Sequence, residues 1–250
     1  MTVSLKPSAW HGAQVDFGKF QTSAGIESAE TLSGWNYSRS ILFVYAQPNY
    51  HFGLRSTVPL GKRVEVGLQV VNGWNRVLDG NGGKTIAVTA DYRSPKLSWY
   101  NDYYIGPERV DGANLRRTLF DTTLVASPFQ RLSVDINLDD GSQARSTQRP
   151  SEWIGVAVSA QLRLPYQFIA SPRWEWFNDR DGFTTGTPQT VHEFTLTGER
   201  PLHKGVVARV EYRHDTSNHK FFNVGSQPAS SRQQSTFLIG IIGYFGSLGR

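Results

Sequence analysis

The stretch NYHFGLRSTVPLGKRVEVGLQVVNGW, residues Asn49–Trp74, decides the fold. Apolar and polar residues alternate strictly on both sides of a short Pro-Leu-Gly-Lys segment: Tyr50 and Phe52 flank His51, and Val64 and Val66 flank Glu65. Alternation of this kind indicates a β-strand with one apolar face, and two such runs joined by a short Pro/Gly segment predict an antiparallel hairpin. Each run has about nine to eleven residues, which is the length that a tilted strand needs to cross a bilayer. We interpret the hairpin as the repeating unit of a membrane β-barrel.

Composition excludes several classes of protein and of site. The 250 residues include no apolar run long enough for a transmembrane helix, and the mean hydropathy of −0.40 is compatible with a barrel, in which only alternate strand residues meet lipid. Cysteine is absent, which excludes disulfides, thiolate metal sites and cysteine nucleophiles. The net charge of +5 is spread along the chain rather than clustered, so no nucleic-acid partner is predicted.

The remaining chain repeats the same pattern. Short turns, often with proline, alternate with longer polar loops, as in transmembrane barrels. About twelve strands are predicted in one all-β, antiparallel transmembrane barrel domain over residues 1–250. Besides the two strands of the hairpin, they are Ala13–Phe20, Lys84–Tyr92, Leu97–Ile105, Arg117–Ala126, Leu132–Leu138, Trp153–Arg163, Gln167–Phe177, Val191–Glu199, Val206–Arg213 and Gln234–Phe245.

The N-terminus carries no recognisable signal peptide, because Met1-Thr-Val-Ser lacks a basic segment followed by an apolar one. We therefore expect either that a signal peptide has been removed or that the barrel is truncated at its N-terminus. Residues 1–12 are interpreted as a remnant of a preceding strand. Closure of the barrel within this chain is left open by the sequence.

Charged residues fall on the strand face opposite the apolar one. A charge near the bilayer midplane on the lipid side would cost about 2–4 kcal/mol, whereas a water-filled lumen hydrates it. The apolar face is therefore predicted to point outward and the charged face inward. These lumenal side chains either only solvate the lumen and brace the wall or form a specific binding site, and the first is favoured. The candidates for lining the pore are His51, Arg55, Glu65, Asp91, Asp102, Asp135, Arg163, Arg173, Glu175, Glu193, Arg209 and Glu211. Replacing Arg55 or Arg173 with Glu is expected to shift ion selectivity toward cations.

Two long connections interrupt the repeat, Gln21–Gln47 and Asp215–Gln234. Long connections without clear structure of their own are usually functional or disordered. The first is expected either to fold into the lumen and narrow the pore or to lie on the surface.

Aromatic residues concentrate near the predicted strand ends, which favours the interfacial girdles of a barrel. They are Trp74, Trp99, Tyr103, Trp153, Trp174, Trp176, Tyr212, Tyr244 and Phe245.

Two short segments are similar to ligand-binding motifs but lack part of each motif. Gly80–Lys84 lacks the spacing of a phosphate loop, and Asn178–Gly182 lacks the full pattern of a calcium loop. No catalytic residue, cofactor site or metal site is predicted.

Several segments, taken in order along most of the chain, resemble one family, the OmpL-like β-barrel porins. They are Asp16-Phe-Gly-Lys-Phe20, Ala24-Gly-Ile-Glu27, Tyr37-Ser-Arg-Ser40, His51-Phe-Gly-Leu54, Val70-Val-Asn-Gly-Trp74, Tyr104-Ile-Gly-Pro-Glu-Arg109, Asp179-Arg-Asp-Gly-Phe183 and Gly186-Thr-Pro-Gln189. The resemblance implies a porin-like barrel in the outer membrane of Gram-negative bacteria. The resemblance does not indicate which solute would pass, and it identifies no catalytic residue.

The function expected from these observations is passive diffusion of small hydrophilic solutes or ions through a polar lumen of mixed charge. The partners would be outer-membrane lipid, those solutes and, during biogenesis, the barrel-assembly machinery. One alternative is a non-conducting barrel with a structural or adhesion role carried by its long loops. A less favoured alternative is an outer-membrane hydrolase.

Overall fold

The computed structural model describes residues 1–30 and 32–245. Apart from two 3₁₀ turns (Ser8–Trp10 and Pro165–Gln167) and a short π-helix (Leu42–Ala46), the regular structure of this part of the chain is β-strand. No helix in it is both long and apolar enough to cross a membrane. The strands are β1 (Thr2–Leu5), β2 (Gln14–Gln21), β3 (Tyr50–Leu60), β4 (Val64–Val71), β5 (Thr85–Arg93), β6 (Leu97–Val110), β7 (Ala113–Phe129), β8 (Leu132–Gln143), β9 (Ser151–Arg163), β10 (Ile169–Asp179), β11 (Gln189–His203), β12 (Val206–Ser217), β13 (Phe222–Val224), β14 (Gln227–Ser231) and β15 (Gln233–Gly243).

Thirteen of the described strands form a single sheet in the order β1 to β12 followed by β15, and every neighbouring pair is antiparallel. The predicted strands are all present, with ends that differ by a few residues. The additional strand is β1, which pairs with β2 from Thr2 opposite Gly18 to Leu5 opposite Val15. Its interpretation as the remnant of a longer strand stays a prediction.

Two connections between predicted strands are more regular than the sequence indicates. Residues 106–116, which separate the predicted strands Leu97–Ile105 and Arg117–Ala126, are not a loop, because β6 and β7 continue as a paired hairpin to Val110 and Ala113. Asp111 and Gly112 close the hairpin with φ values of 51° and 80°, the positive values that a tight two-residue hairpin turn requires. The Asp-Gly dipeptide is the sequence feature that favours such a turn.

The connection Asp215–Gln234 is also more regular than expected. β12 runs on to Ser217, and the following segment forms its own small hairpin, β13 with β14. The hairpin places Phe222 against the apolar side chains Ile41 and Phe177, so this loop is anchored in the interior rather than extended into solvent.

The two faces of the sheet differ as the alternation predicts. Large apolar side chains such as Leu68, Ile136 and Phe194 are exposed on one face, while charged side chains on the other face are buried. Hereafter the charged face is called the inner face. Its buried charged side chains include Asp16, Asp102, Asp121, Asp135, Asp139, Arg173, Glu175, Asp179, Glu193, Glu199, Arg209, Glu211 and Asp215.

The connection between β2 and β3, described over residues 22–30 and 32–49, lies against the inner face and is here called the inner loop. Its side chains and backbone contact residues of the inner face from Gln69 on β4 to Glu211 on β12. One short segment can reach so many strands only if the sheet curves around it. Of the two possibilities that the sequence left open, the structure shows the loop folded inward.

Apolar packing holds the inner loop in place in two clusters. Ala24 packs with Ala87, Tyr104 and Leu119 on β5 to β7. The π-helix residues pack against β9 to β11 in a cluster of Ile41, Leu42, Ala46, Trp153, Ala157, Phe177, Val191 and Phe222.

The second cluster corrects the girdle prediction at two positions. Trp153 points inward and is 1% exposed, and its indole N–H donates to the Ala46 carbonyl over 2.9 Å. Trp74 packs edge-to-face on Trp153 at a ring-centre distance of 6.1 Å and is partly buried. Trp99, Tyr103, Trp174 and Tyr212 lie on the exposed apolar face as predicted. Alternation, rather than nearness to a strand end, determines which aromatic residues face outward.

Candidate functional site

The inner loop is attached to β10 by a buried arginine. Arg173 Nε lies 3.0 Å from Glu193 Oε2 and 3.2 Å from Glu175 Oε1 on the wall, and its Nη1 lies 2.8 Å from Glu27 Oε1 in the loop. The same Nη1 donates to the Ser38 carbonyl over 3.0 Å. Arg173 is fully enclosed by these groups, so it joins the loop to the wall.

Two wall glutamates bind backbone amides of the inner loop. Glu175 accepts from the N–H groups of Ile41 (2.9 Å) and Leu42 (3.1 Å), where the π-helix begins. Glu211 accepts from the N–H groups of Tyr37 (2.6 Å) and Ser38 (2.9 Å). Backbone amides that would otherwise be buried without a partner are thus satisfied by side-chain carboxyl oxygens of the wall.

The middle of the loop is held by a second buried, ion-paired arginine. Arg209 Nε lies 2.6 Å from Glu199 Oε2, and its Nη2 donates to the Gly34 carbonyl over 2.9 Å. The Asn36 side chain donates to Thr197 Oγ1 (2.8 Å) and to the Ser171 carbonyl (2.9 Å). β10 to β12 therefore form the anchoring side of the wall.

The beginning of the inner loop is attached more sparsely, to β4 and β6. Ser23 Oγ donates to Asp102 Oδ1 over 2.5 Å, accepts from Gln69 Nε2 over 2.8 Å, and lies 2.7 Å from the Tyr104 hydroxyl. These contacts hold one point of the loop rather than a long segment.

A cavity of about 390 Å³ lies beside this attachment, between the start of the inner loop and β3 to β6. Four of the predicted residues line it, Arg55, Glu65, Asp91 and Asp102. Arg93 and Tyr100 line it as well and were not predicted. Arg93 lies one residue beyond the predicted strand Lys84–Tyr92, although it follows Asp91 at the spacing of two that places both on one face.

The cavity is lined by paired charges of both signs. Arg55 Nε lies 2.8 Å from Asp16 Oδ2. Arg93 Nη2 lies 2.7 Å from Asp91 Oδ2 and 3.7 Å from Glu65 Oε1. Arg55 and Arg93 remain partly accessible, in contrast to the enclosed Arg173.

The remaining predicted residues do not line the cavity. His51 is buried, stacks on Tyr104 at 5.2 Å and contacts the Gly73 carbonyl through Nδ1 at 3.0 Å. Arg163 is exposed at the end of β9. Asp135 is buried. Nine of the twelve candidates thus fall into a cavity group on β3 to β6 and an anchoring group on β10 to β12, and His51, Asp135 and Arg163 belong to neither.

In the segments Gly80–Lys84 and Asn178–Gly182, which are similar to ligand-binding motifs, polar side chains bind other groups of the protein. In the loop before β5, Lys84 Nζ lies 2.6 Å from Asp79 Oδ2, and this ammonium group lowers the pKa of the Asp79 carboxyl. Asp79 Oδ1 accepts from the amides of Asn81 and Gly82. The lysine of this segment is therefore paired within its own loop.

The aspartates of the second segment are likewise bound by protein groups. Asp179 accepts from the amides of Phe183 and Thr185 over 2.9 and 2.7 Å. Asp181 accepts from Arg149 Nη2 over 2.6 Å. Within the described residues, no group of three or more His, Cys, Asp or Glu side chains is placed to share a metal ion.

Comparison with solved structures identifies the class of this architecture. An anion-selective porin from Comamonas acidovorans aligns with a TM-score of 0.73 at 11% identity, covering 93% of this chain and 74% of the porin. The outer membrane protein OmpT of Vibrio cholerae aligns with a TM-score of 0.63 at 11% identity, with coverages of 93% and 76%. At this identity the likeness shows the fold alone. The fold is the antiparallel transmembrane β-barrel of the outer-membrane porins.

Comparison at the sequence level gives the particular family. The chain belongs to the family described as "Putative beta-barrel porin-2, OmpL-like", whose model matches residues 1–245. No curated protein matches the sequence. The family agrees with the resemblance inferred from the sequence motifs, and the chain is a member of an outer-membrane porin family.

Proposed function

We propose that the protein lets small hydrophilic solutes diffuse passively across the outer membrane, along a path between the start of the inner loop and β3 to β6. The observation that carries the proposal is the one-sided attachment of the loop. Arg173, Glu175 and Glu211 hold it tightly on β10 to β12. A cavity with accessible charged groups remains on the opposite side.

The chemistry of the cavity supports hydrophilic solutes with weak charge preference. Arg55 and Arg93 face it together with Glu65, Asp91 and Asp102, and most of these groups are already paired. Paired charges of opposite sign hydrate a path without concentrating one type of ion strongly. Although the Comamonas porin is described as anion-selective, we propose only weak selectivity for this chain.

No enzymatic activity is part of this proposal. The partners we propose are outer-membrane lipid on the apolar face, small solutes on the inner face, and the barrel-assembly machinery during insertion. The remaining candidate function is that of a non-conducting barrel. It is favoured by one observation, the extensive occupation of the inner face by the inner loop.

Conductance in planar lipid bilayers separates the two functions. The refolded protein is expected to give discrete current steps in potassium chloride, and proteoliposomes containing it should swell in small sugars but not in large dextrans. A chain shown to be folded by its heat-modifiable mobility, yet giving neither steps nor swelling, would contradict the porin proposal and favour the non-conducting barrel.

A further inference from the structure

Six connections of the sheet lie at one of its edges, hereafter called the turn edge, because each strand pairs antiparallel with its sequence neighbour. They join β1 to β2, β3 to β4, β5 to β6, β7 to β8, β9 to β10 and β11 to β12. No aspartate or glutamate occurs in these connections, whereas they contain six basic residues, Lys6, Lys62, Arg63, Lys96, Arg131 and Lys204. The turn edge is therefore positively charged.

The basic side chains of the turn edge have no acidic partners in the part of the chain that the structure describes. All six residues are exposed. Acidic side chains at this end of the strands, such as Asp16 and Glu199, face inward and pair with Arg55 and Arg209. The positive charge of the turn edge is thus available to a partner outside the chain.

The longer connections at the opposite edge carry charges of both signs. Lys84 pairs with Asp79 over 2.6 Å, and Arg149 pairs with Asp181 over the same distance. The two edges therefore differ in pairing as well as in composition, and only the turn edge combines basic residues with a complete lack of acidic ones.

Exposed apolar side chains accompany the basic residues of the turn edge. Each of the six has one within two positions along the chain, and these neighbours are Leu5, Leu60, Val64, Leu97, Phe129 and Leu202. Long basic side chains lay their methylene stems along apolar surface while the charged ends reach the polar layer. A cation beside an exposed apolar group is the arrangement found where acyl chains meet lipid headgroups.

Arg200 shows which face of the wall carries this charge. It shares the exposed face of β11 with Phe194 and Leu196, near the end of the strand at the turn edge. Its guanidinium carbon lies 4.9 Å from the ring centre of Phe168, which is also exposed. A charge on the lipid-facing side costs little only near the interface. A guanidinium group there is suited to phosphate, because it can donate two parallel hydrogen bonds.

We propose that the turn edge binds the phosphate headgroups of anionic phospholipids, with Arg200 and Lys204 forming one of the contact points. The inference rests on the proposed lipid partner and names its chemical class, and it does not depend on conduction. A lipid is the favoured source of the phosphate because Arg200 is on the outer, apolar face, which a solute inside the barrel does not reach. The exposed Leu202 lies between the two cations and would contact the acyl chains.

Quenching of tryptophan fluorescence by brominated lipids tests this surface. The full chain is refolded into phosphatidylcholine vesicles that contain either brominated phosphatidylglycerol or brominated phosphatidylcholine. Trp99 and Trp174 lie on the exposed face and report contact with the lipid. The unmodified chain is expected to prefer phosphatidylglycerol by about fivefold or more, the factor that one basic residue near an anionic surface supplies.

Neutralising the contact point should reduce this preference. Arg200→Gln combined with Lys204→Gln is expected to lower it by more than half, without loss of the heat-modifiable mobility that marks the folded barrel. Arg149→Gln combined with Arg180→Gln is the matched control. It removes the same charge at the opposite edge, where both arginines already have acidic partners, and should keep the preference of the unmodified chain.

Three results would overturn the inference. Equal quenching of the unmodified chain by the two lipids would show that the turn edge does not select anionic headgroups. An equal loss of preference in both double variants would assign the effect to net charge rather than to the turn edge. Quenching by neither lipid would contradict the lipid-facing assignment itself. Conductance is not part of this readout, so equal quenching by the two lipids would leave the porin proposal standing.

Discussion

Arg55 and Arg173 have the same sequence context, an arginine on the polar face of an alternating strand, yet the structure gives them different surroundings. Arg55 has one carboxylate partner, Asp16, and borders the cavity. Arg173 is 1% exposed and contacts Glu27, Glu175 and Glu193. The expectation that charge reversal shifts ion selectivity is therefore kept as a proposal for Arg55, and Arg173 is proposed instead to hold the inner loop on the wall.

Replacing Arg55 with Glu is expected to shift the ion selectivity of the channel toward cations. The change moves the local charge by two units at the edge of the proposed path, where water screens it only partly. Arg55→Gln should give a shift in the same direction and about half as large. Reversal potentials in a potassium chloride gradient measure the effect.

Arg163→Glu is the matched control for that measurement, because Arg163 lies on the same face but away from the cavity at the end of β9. It should leave the reversal potential nearly unchanged. An equal shift for Arg55→Glu and Arg163→Glu would show that the cavity is not the path.

Replacing Arg173 with Met is expected to destabilise the protein rather than tune its selectivity. Removing one partner from a buried ionic network leaves uncompensated charges, which typically costs about 3–5 kcal/mol. The expected result is a lower urea midpoint of unfolding in lipid vesicles, together with faster proteolysis of the inner loop.

An exposed arginine supplies the comparison for Arg173. Arg180 pairs with Glu152 over 2.8 Å, and both side chains are at least half exposed. An exposed pair contributes about 0–1 kcal/mol, so Arg180→Met should change the midpoint little. Similar losses for both variants would argue against the anchoring role of Arg173.

At the scale of elements, the position of the inner loop affects the proposed function more than that of any other described element. It connects β2 to β3, two neighbouring strands, and yet reaches β12 across the interior. Its apolar residues and its backbone amides both find partners on the inner face, which explains why a loop with so many polar groups is stable there.

A cross-link between Ser23→Cys and Asp102→Cys is expected to form readily under mild oxidation. The two native side chains already lie 2.5 Å apart, and the absence of other cysteines excludes competing disulfides. The cross-linked chain should show an altered electrophoretic mobility that a reducing agent reverses. Single-channel currents should also fluctuate less once the start of the loop is fixed.

The combination of Ser23→Cys with Asp140→Cys is the control, since Asp140 points out of the wall. It should remain reduced under the same conditions. Failure of the first pair to cross-link in a folded barrel, or efficient cross-linking of the second, would contradict the inward position of the loop.

At the scale of the whole molecule, the distribution of polarity is inverted relative to a soluble protein. The interior holds ion pairs and hydrogen-bonded amides, and the exterior carries a band of exposed apolar side chains. This arrangement is stable only where lipid surrounds the exterior, because lipid does not penalise exposed apolar area and water does.

Replacing Ile136 with Arg is expected to destabilise the barrel in lipid. Ile136 lies on the apolar face at the middle of β8, and a charge near the bilayer midplane costs about 2–4 kcal/mol. Thr57→Arg introduces the same side chain beside the cavity, where water hydrates it, and should cost much less. Urea unfolding from phospholipid vesicles compares the two variants. Equal costs would contradict this assignment of the faces, and a larger cost for Thr57→Arg would mean that the faces are reversed.

Much of this architecture was predictable from the sequence because it depends on local alternation. In Asn49–Trp74, a period of two assigns the outward and inward faces without reference to the rest of the chain, and the structure agrees at Leu54 and His51. The strand count followed from repetition of the same pattern. The β6–β7 hairpin is longer than predicted because Asp111-Gly112 forms a tight turn, so the strands pair beyond the clearly alternating residues.

The tertiary structure alone decided which inward residues face water and which bind protein. Alternation places Arg55 and Arg173 on the same face, and only the path of the inner loop separates them. That path depends on contacts between residues more than one hundred positions apart, such as Ala46 with Trp153 and Tyr37 with Glu211. No local pattern encodes such contacts, because the alternation of polar and apolar residues in each segment would be the same with or without the distant partner. The sequence by itself therefore determined the strands of the wall and its two faces. The position of the inner loop inside the wall depends on the tertiary contacts.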